Sequence, residues 1–371
     1  MIYLDHGATT LHKPDSVRRA INWAIENCGN PGRGGHPAAV RAGEVVFRCR
    51  EQAGKLFSLP PERVVFTSNC THGLNIAINT LVKPGCRVVI SGFEHNAVTR
   101  PLYALKAQIT IAGRKLFDPE DTLEEFEAAL RRGQDAAVFT HVSNVFGYIL
   151  PVEKMATLCR QYQVPFIIDA AQSAGSMEIN MEALGADFIA MPGHKGLLGP
   201  QGTGLLLCGR EPAPLLFGGT GSVSRQQEMP DFLPDRLEAG TVNVPGICGL
   251  CAGMEYVAKT GVQKIARREM QAKNAAARGL QQLGFEVFAG ENQSGVLSFL
   301  HPAWDCEELA GAFAQRGIAM RAGLHCAPTA HESAGTLETG TVRASFGHDA
   351  SIGQANALAQ AASRILSHQK K

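Results

Sequence analysis

The sequence lacks long apolar runs, an excess of charge of either sign, and a secretory pattern at its amino end. No apolar run in its 371 residues approaches the roughly 20 residues that a bilayer-spanning helix requires, which argues against a membrane protein. The formal net charge of +1 gives no reason to expect nucleic acid or a membrane surface as a partner. The opening MIYLDHGATT has no basic segment followed by an apolar one, so we expect no secretory signal.

The chain also lacks internal repeats, low-complexity segments and the cysteine spacing of a small disulfide framework. Its ten cysteines are scattered. Without an export signal they are best interpreted as reduced thiols of a cytoplasmic protein. The length, together with a hydrophobic content of 45%, predicts one large domain and a second, smaller one.

Apolar segments alternate with helical patterns through the first half of the chain. The pattern predicts strands at 64–67, 87–90, 108–112, 136–140 and 165–169, and helices at 15–27, 41–56, 71–81, 95–105, 122–132 and 152–162. Continuously apolar strands joined by helices are typical of a mostly parallel sheet covered by helices on both faces, the α/β class. Because ligands of such sheets bind beyond the carboxyl ends of the strands, Asp169 is a site candidate by position.

The second half of the chain changes character. Its pattern predicts helix from 246 to about 283, strands near 285–288 and 296–300, and a last helix at 352–368. We therefore predict a large α/β domain at 15–250 and a smaller α+β domain formed by 1–14 and 251–371. The Gly- and Thr-rich segment 329–341 is expected to be a mobile loop near the site.

One lysine, Lys195, lies in the segment MPGHKG between two apolar runs that read as strands, 188–191 and 204–207. Most loop lysines simply face water. The alternative is an amine that forms a Schiff base with an aldehyde cofactor. The rest of the chain favours the alternative because it offers the other parts that such a cofactor needs.

Pyridoxal phosphate requires an amine for its aldehyde, a carboxylate for its ring nitrogen, a flat group to stack on the ring and a cup of donors for its phosphate. Lys195 can supply the amine and Asp169 the carboxylate. His95 follows a predicted strand and can stack. The segment NCTHG, which contains Cys70, Thr71 and His72, opens a predicted helix and can receive the phosphate.

Nine segments give the chain a family resemblance. In order they are YLDHGATT, TSNCTHGLN, EHNAV, SNVFG, DAAQS, PGHKGLLGPQGTG, EAGTVNVPGI, RAGLHCAP and VRASF. With these motifs the chain resembles the class V, fold type I enzymes that depend on pyridoxal 5′-phosphate. Within that class it is similar to the cysteine desulfurases and selenocysteine lyases.

The resemblance implies a role for each matching residue. Lys195 would hold the cofactor aldehyde and move the substrate's α-proton, and Asp169 would pair with the ring nitrogen. Further residues would contact the cofactor: Gln172 at the phenolic oxygen, His95 on the ring, and Cys70, Thr71, the backbone at His72, and His194 around the phosphate. Gly240 and Thr241 would complete the phosphate cup of a neighbouring subunit, which implies a homodimer. Ala8, Asn144 and Arg343 would contact the substrate, since a guanidinium matches a carboxylate with two parallel hydrogen bonds.

Cys326 matches the family's sulfur acceptor. Gly323 before it and Pro328 after it predict an irregular loop. A small buried apolar residue is the ordinary interpretation of a cysteine, but Arg321 and His325 lie close in sequence, and nearby cations favour the thiolate. The resemblance then implies that L-cysteine becomes L-alanine while its sulfur passes to Cys326 as a persulfide. From there the sulfur would pass to an acceptor protein or small thiol.

Some residues depart from the family pattern and leave alternatives open. Pro192 stands where a phosphate-binding hydroxyl is common and offers neither a hydroxyl nor an N–H, so lower cofactor affinity is expected. Leu324 stands where one branch has a second histidine, so selenocysteine lyase activity or another class V reaction such as transamination remains a second interpretation. A cofactor-binding regulator or a scaffold for a sulfur carrier is a third.

Two further features have structural as well as functional interpretations. Cys248 and Cys251 have redox or metal spacing, but no second pair completes a zinc site, so we interpret them as buried helix cysteines. Arg33 and His36 lie in a Gly- and Pro-rich loop, which is a plain loop or, by the resemblance, part of the active-site mouth.

Overall fold

A computed structural model describes residues 1–32 and 34–368 of the chain, so Arg33 lies outside the described residues. The helices are α1 Asp15–Asn27, α2 Pro37–Phe57, α3 Cys70–Leu81, α4 Asn96–Ala104, α5 Pro119–Arg131, α6 Val152–Tyr162, α7 Met181–Leu184, α8 Val244–Thr260, α9 Val262–Gln282, α10 Cys306–Ala314, α11 Pro328–Ala334 and α12 Ile352–His368. The strands are β1 Ile2–Tyr3, β2 Val64–Thr67, β3 Arg87–Ser91, β4 Gln108–Ala112, β5 Ala136–Thr140, β6 Phe166–Asp169, β7 Phe188–Pro192, β8 Gly204–Cys208, β9 Glu286–Phe288, β10 Val296–Leu300, β11 Ile318–Ala319, β12 Arg321–Gly323 and β13 Thr341–Ser345.

The central sheet has seven strands in the order β2-β8-β7-β6-β5-β3-β4. All are parallel except β8, which runs antiparallel to both of its neighbours. The predicted mostly parallel sheet is confirmed. A parallel sheet collects the carboxyl ends of its strands along one edge, which places the ends of β2, β3, β5, β6 and β7 together.

Both faces of this sheet are buried. Successive side chains of a strand point to opposite faces, so two neighbouring residues of β6 show what covers each face. On β6, Ile168 packs with helices α2, α5, α6 and α8, whereas its neighbour Ile167 packs with α3 and α4 on the other face. Helices therefore cover both faces, as the continuously apolar strands predict.

A second sheet, in the order β12-β13-β10-β9, is antiparallel. It packs with α9, α10 and α12 around its own apolar core, to which Leu4 of the amino-terminal segment contributes. Strand β1 pairs in parallel with β11, so the chain's first residues join its last third. The domain boundaries at 15–250 and 251–371 stay a prediction. Within residues 1–32 and 34–368, no helix combines the length and apolarity needed to cross a bilayer.

Several predicted element bounds were wrong for local reasons. Helix α2 begins at Pro37 rather than residue 41, because His36 Nδ1 accepts the N–H of Ala39 and a proline suits the first helical position. The contact described for His36 is therefore a structural one, at the start of α2.

Two longer segments also differ from expectation. The stretch 246–283 is two helices, separated at Gly261, whose φ of +86° interrupts the helical backbone. The segment 329–341, predicted to be a loop, contains α11. That helix begins at Pro328 and ends at Gly335, where φ is +70°. A proline at the start and a glycine at the end are common helix signals.

Candidate active site

A cavity of about 200 Å³ opens at the carboxyl ends of the central strands. All but three of the site residues predicted from the sequence line it, namely Ala8, Cys70, Thr71, His95, Asn144, Asp169, Gln172, His194, Lys195, Cys326 and Arg343. The exceptions are His72, Gly240 and Thr241. Residues spread over most of the chain thus meet at the sheet edge.

Asp169 ends β6 and is 2% exposed. Its Oδ1 accepts the N–H of Ala171 at 2.9 Å and the thiol of Cys70 at 3.3 Å. Its Oδ2 has no partner among the described hydrogen bonds. One carboxylate oxygen is therefore held by the protein and the other is available to a ligand in the cavity.

Lys195 lies in the turn between β7 and β8, as predicted. The turn is tightly packed, because a Cβ on Gly196 would overlap the carbonyl oxygen of Ala174, and one on Gly193 would overlap Thr203 Oγ1. Lys195 Nζ makes no hydrogen bond or salt bridge with a described residue. Burial lowers the pKa of Lys195, which the negative charge of Asp169 partly opposes. A buried amine with a lowered pKa is suited to nucleophilic chemistry.

Helix α3 begins at the cavity. Asn69 caps it, and Asn69 Oδ1 accepts the N–H of His72 at 2.9 Å. The backbone at His72 is thus already occupied by the cap, which counts against its predicted role at a phosphate. The N–H groups of Cys70 and Thr71 have no acceptor among the described residues, and free N–H groups at a helix N-terminus favour an anion.

His95 follows β3 and caps α4 through Nδ1, which accepts the N–H of Ala97 at 3.0 Å. Burial lowers the pKa of His95, although Asp169 acts in the opposite direction. The neutral ring therefore carries its proton on Nε2. His95 can stack on a ring in the cavity while offering Nε2–H to it.

Arg343 lies on β13 and is 2% exposed. Its Nη2 pairs with Asp5 Oδ1 at 2.8 Å and its Nη1 donates to the carbonyl oxygen of Asn144 at 2.9 Å. Arg343 Nε is buried without a partner. The guanidinium is thus held from two sides and keeps a free N–H, as a site for a substrate carboxylate requires.

The amino-terminal segment forms the wall facing these groups. Gln172 Nε2 donates to the carbonyl oxygen of Gly7 at 3.0 Å, and Ala8 follows at the cavity. His194 Nδ1 lies 3.1 Å from Thr9 Oγ1. Burial lowers the pKa of His194 to about 4, so it is neutral at pH 7. This wall is polar but carries no cationic imidazole.

Cys326 is exposed and lies in the predicted irregular segment, between β12 and α11. One expectation about its surroundings was wrong. His325 is buried, and burial together with the charge of Arg343 lowers the pKa of His325 to about 2. Of the two neighbours named from the sequence, Arg321 is left as a cation, and it lines the cavity of Cys326 together with Arg343.

Gly240 and Thr241 do not line the cavity of their own chain, so their predicted role in a neighbouring subunit stays a prediction. Cys248 and Cys251 both lie in α8, with Cys251 buried and Cys248 only half-buried. The prediction of a helical pair is thus confirmed, but full burial holds for one of the two.

Glu94, which was not predicted from the sequence, is a buried carboxyl close enough to Asp169 to feel its charge. It is fully buried, and its Oε1 accepts the hydroxyl of Ser91 and the N–H of Thr140 at 2.9 Å, while Oε2 has no partner. These bonds tie the end of β3 to the end of β5, beside Asp169. A charged residue three positions after an apolar strand was the available signal.

Burial raises the pKa of Glu94 to about 8, from which a pH-dependent stability follows. Folded protein keeps this proton up to about pH 8, whereas the unfolded chain loses it near the ordinary value, so stability falls as pH rises through that interval. Glu94→Gln keeps the acceptor without titrating. We expect wild type to lose roughly 2–4 kcal/mol of unfolding free energy relative to Glu94→Gln between pH 5 and pH 8.

Urea unfolding of both proteins at the two pH values measures this difference. The exposed Glu124 offers a matched control, and Glu124→Gln should show no comparable pH-dependent gain over wild type. A constant gap between wild type and Glu94→Gln across the range would contradict a raised pKa.

The sequence is similar to those of known proteins over most of its length. A family model described as aminotransferase class V matches residues 2–358. A probable cysteine desulfurase of Methanothermobacter thermautotrophicus is 32% identical over 93% of this chain and 90% of its own, and one of Pyrococcus abyssi is 31% identical over 93% and 89%.

Solved structures are similar over almost the whole length. The apo cysteine desulfurase of Thermococcus onnurineus NA1 superposes with a TM-score of 0.91 at 29% identity, covering 99% of this chain and 95% of that one. An Escherichia coli cysteine desulfurase, solved with an S-sulfonic acid, superposes with a TM-score of 0.86 at 27% identity, covering 98% and 94%. The fold predicted from the resemblance is confirmed.

Proposed function

Because the chain belongs to the class V aminotransferase family, we propose that it is a cysteine desulfurase that uses pyridoxal 5′-phosphate. The observation that carries the proposal is the convergence of Lys195, Asp169, Arg343 and Cys326 on one cavity. The first two suit the cofactor, the third suits the carboxylate of an amino acid, and the fourth is an exposed thiol that can accept sulfur.

The unpaired polar groups of the cavity fit the cofactor. Lys195 Nζ is free for the aldehyde, Asp169 Oδ2 for the ring nitrogen, and the N–H groups of Cys70 and Thr71 for the phosphate. Pro192 lines the same cavity and supplies neither hydroxyl nor N–H, so these two N–H groups carry more of the phosphate binding. When bound, pyridoxal phosphate supplies an electron sink for the substrate carbon.

The chain's own residues provide the rest of the chemistry. Arg343 holds the substrate carboxylate, and Lys195 Nζ takes the proton from the substrate's α-carbon. Cys326 Sγ, as thiolate, attacks the substrate sulfur; an S–S bond forms and the substrate's C–S bond breaks. The electron pair of the broken bond ends on the substrate's β-carbon, which takes up a proton, and Lys195 returns a proton to the α-carbon. L-cysteine plus a thiol thus gives L-alanine plus a persulfide.

The test of this function is turnover of L-cysteine by the cofactor-loaded protein. In the first turnover we expect one molecule of alanine for each sulfur atom that Cys326 gains. Mass spectrometry of the intact and of the digested chain measures that gain. A reductant or thiol acceptor should then release sulfide and allow further turnover. Turnover of L-selenocysteine alone would assign a selenocysteine lyase, and absence of cofactor binding would refute the proposal.

We further propose a homodimer in which Gly240 and Thr241 approach the partner's cavity. Large apolar side chains are exposed in the same part of the chain, at Leu216, Phe217 and Phe232, and burial of such side chains against a second copy would be favourable. Light scattering is expected to give twice the chain mass of 39.6 kDa. A monomer that binds cofactor fully would contradict this arrangement. The cytoplasmic location and the identity of the sulfur acceptor stay predictions.

A further inference from the structure

The backbone that carries Cys326 has an unusual conformation. His325 and Cys326 have φ values of +50° and +57°, in the left-handed region that side chains other than glycine rarely adopt. Such conformations are strained and persist only where the surroundings hold them. The corner formed by His325 and Cys326 therefore needs contacts from outside.

Two hydrogen bonds hold this corner. The carbonyl oxygen of His325 accepts Asn144 Nδ2 at 2.8 Å, and the carbonyl oxygen of Cys326 accepts the backbone N–H of Asn96 at 2.7 Å. Both donors follow strands of the central sheet, β5 and β3. The nucleophile is thus fastened to the sheet edge that carries the cofactor site.

Asn144 also contacts Arg343, the residue proposed to bind the substrate carboxylate. It is 8% exposed, its carbonyl oxygen accepts Arg343 Nη1 at 2.9 Å, and its Oδ1 is buried without a partner. An amide nitrogen has two hydrogens, and the bond to His325 uses one of them. Asn144 can therefore hold the nucleophile's corner while the second N–H serves a carboxylate at Arg343.

We propose that Asn144 is a positioning residue for Cys326, which it holds in register with Arg343 through the His325 carbonyl. This inference rests on the proposed desulfurase function and adds a task to the carboxylate binding expected of Asn144. Since misplacement of a reacting group by about 1 Å can cost 10²-fold in rate, loss of this bond slows sulfur transfer even at saturating substrate.

The two roles differ in the enzyme without substrate. A residue that only binds the substrate carboxylate leaves free Cys326 unchanged when it is removed. A residue that holds the corner changes the reactivity of Cys326 before any substrate arrives. Alkylation of the cofactor-loaded protein by iodoacetamide, followed by peptide mass spectrometry, measures that reactivity, with the half-buried Cys86 as reference in the same digest.

The variants are Asn144→Ala, which removes the side chain, and Asn144→Asp, which keeps its size but lacks the amide donors. We expect both to change the alkylation rate of Cys326 relative to Cys86 by about threefold or more, and to lower kcat about 10- to 100-fold. Asn79→Ala is the matched control, because the Asn79 side chain donates to the carbonyl oxygen of Asn75 within α3. It should change neither quantity.

Unchanged alkylation in both variants, with a raised KM and a normal kcat, would overturn the inference and leave Asn144 as a carboxylate ligand alone. Circular dichroism and cofactor absorbance establish that each variant is folded and loaded. If wild type forms no persulfide from L-cysteine, the proposed function fails. The alkylation comparison needs no turnover and still decides the role of Asn144.

Discussion

Replacing Lys195 by alanine is expected to lower alanine formation from L-cysteine by roughly 10⁴-fold or more, because the residue both holds the cofactor and moves a proton, and proton transfer alone contributes 10²–10⁴-fold. The lysine is suited to both tasks. Its amine has no partner among residues 1–32 and 34–368, burial lowers its pKa, and the close packing at Gly193 and Gly196 leaves no room for the turn to shift. Alanine formation and the visible absorbance of the loaded protein measure the loss.

Two controls separate chemistry from charge and folding. Lys195→Arg keeps a cation in the cavity, but a guanidinium stays protonated, so it should be as inactive as the alanine variant. Lys259→Ala removes an exposed lysine of α8 and should behave as wild type. If Lys195→Ala kept more than about one hundredth of the wild-type rate, the lysine would have neither task assigned here.

The residues that could be predicted from the sequence are those placed by local pattern. Lys195 lies between two apolar runs, and Asp169 and His95 follow apolar segments, so the parallel sheet alone brings them to one edge. The same rule would have found Glu94, which precedes His95 directly. That Glu94 is buried near Asp169 depends on packing, which no local pattern indicates.

Other parts of the site depend on contacts between distant positions. The ion pair of Asp5 with Arg343 spans 338 positions, and the bond from Asn144 to His325 spans 181. No local pattern indicates either contact. The burial of an individual side chain cannot be predicted from local sequence either. His325 stands next to Cys326 and suggests a cation, but its enclosed position keeps it neutral. The imidazole next to this thiol is therefore not the cation that the sequence suggests.

Replacing Cys326 by serine is expected to abolish the persulfide and to lower alanine formation by roughly 10³-fold or more, because removing a covalent nucleophile costs about this much or more in enzymes that use one. The cofactor's absorbance should survive. Cys326 is exposed and makes no contact with Asp169 or Lys195 among the hydrogen bonds described, so its loss leaves the cofactor groups in place. Intact-mass spectrometry after addition of L-cysteine, together with an alanine assay, measures both effects.

The distribution of thiols makes this variant informative. Of the ten cysteines, Cys326 is exposed and the other nine are buried or half-buried, so sulfur carried by any other thiol would require that thiol to reach the substrate. Cys86→Ser removes a half-buried thiol and should leave the persulfide yield unchanged. If Cys326→Ser still formed a persulfide and alanine at the wild-type rate, another thiol would be the acceptor. If alanine persisted while no protein persulfide formed, sulfur would leave the substrate without a protein nucleophile, and the strained corner at His325 and Cys326 would have no part in the chemistry.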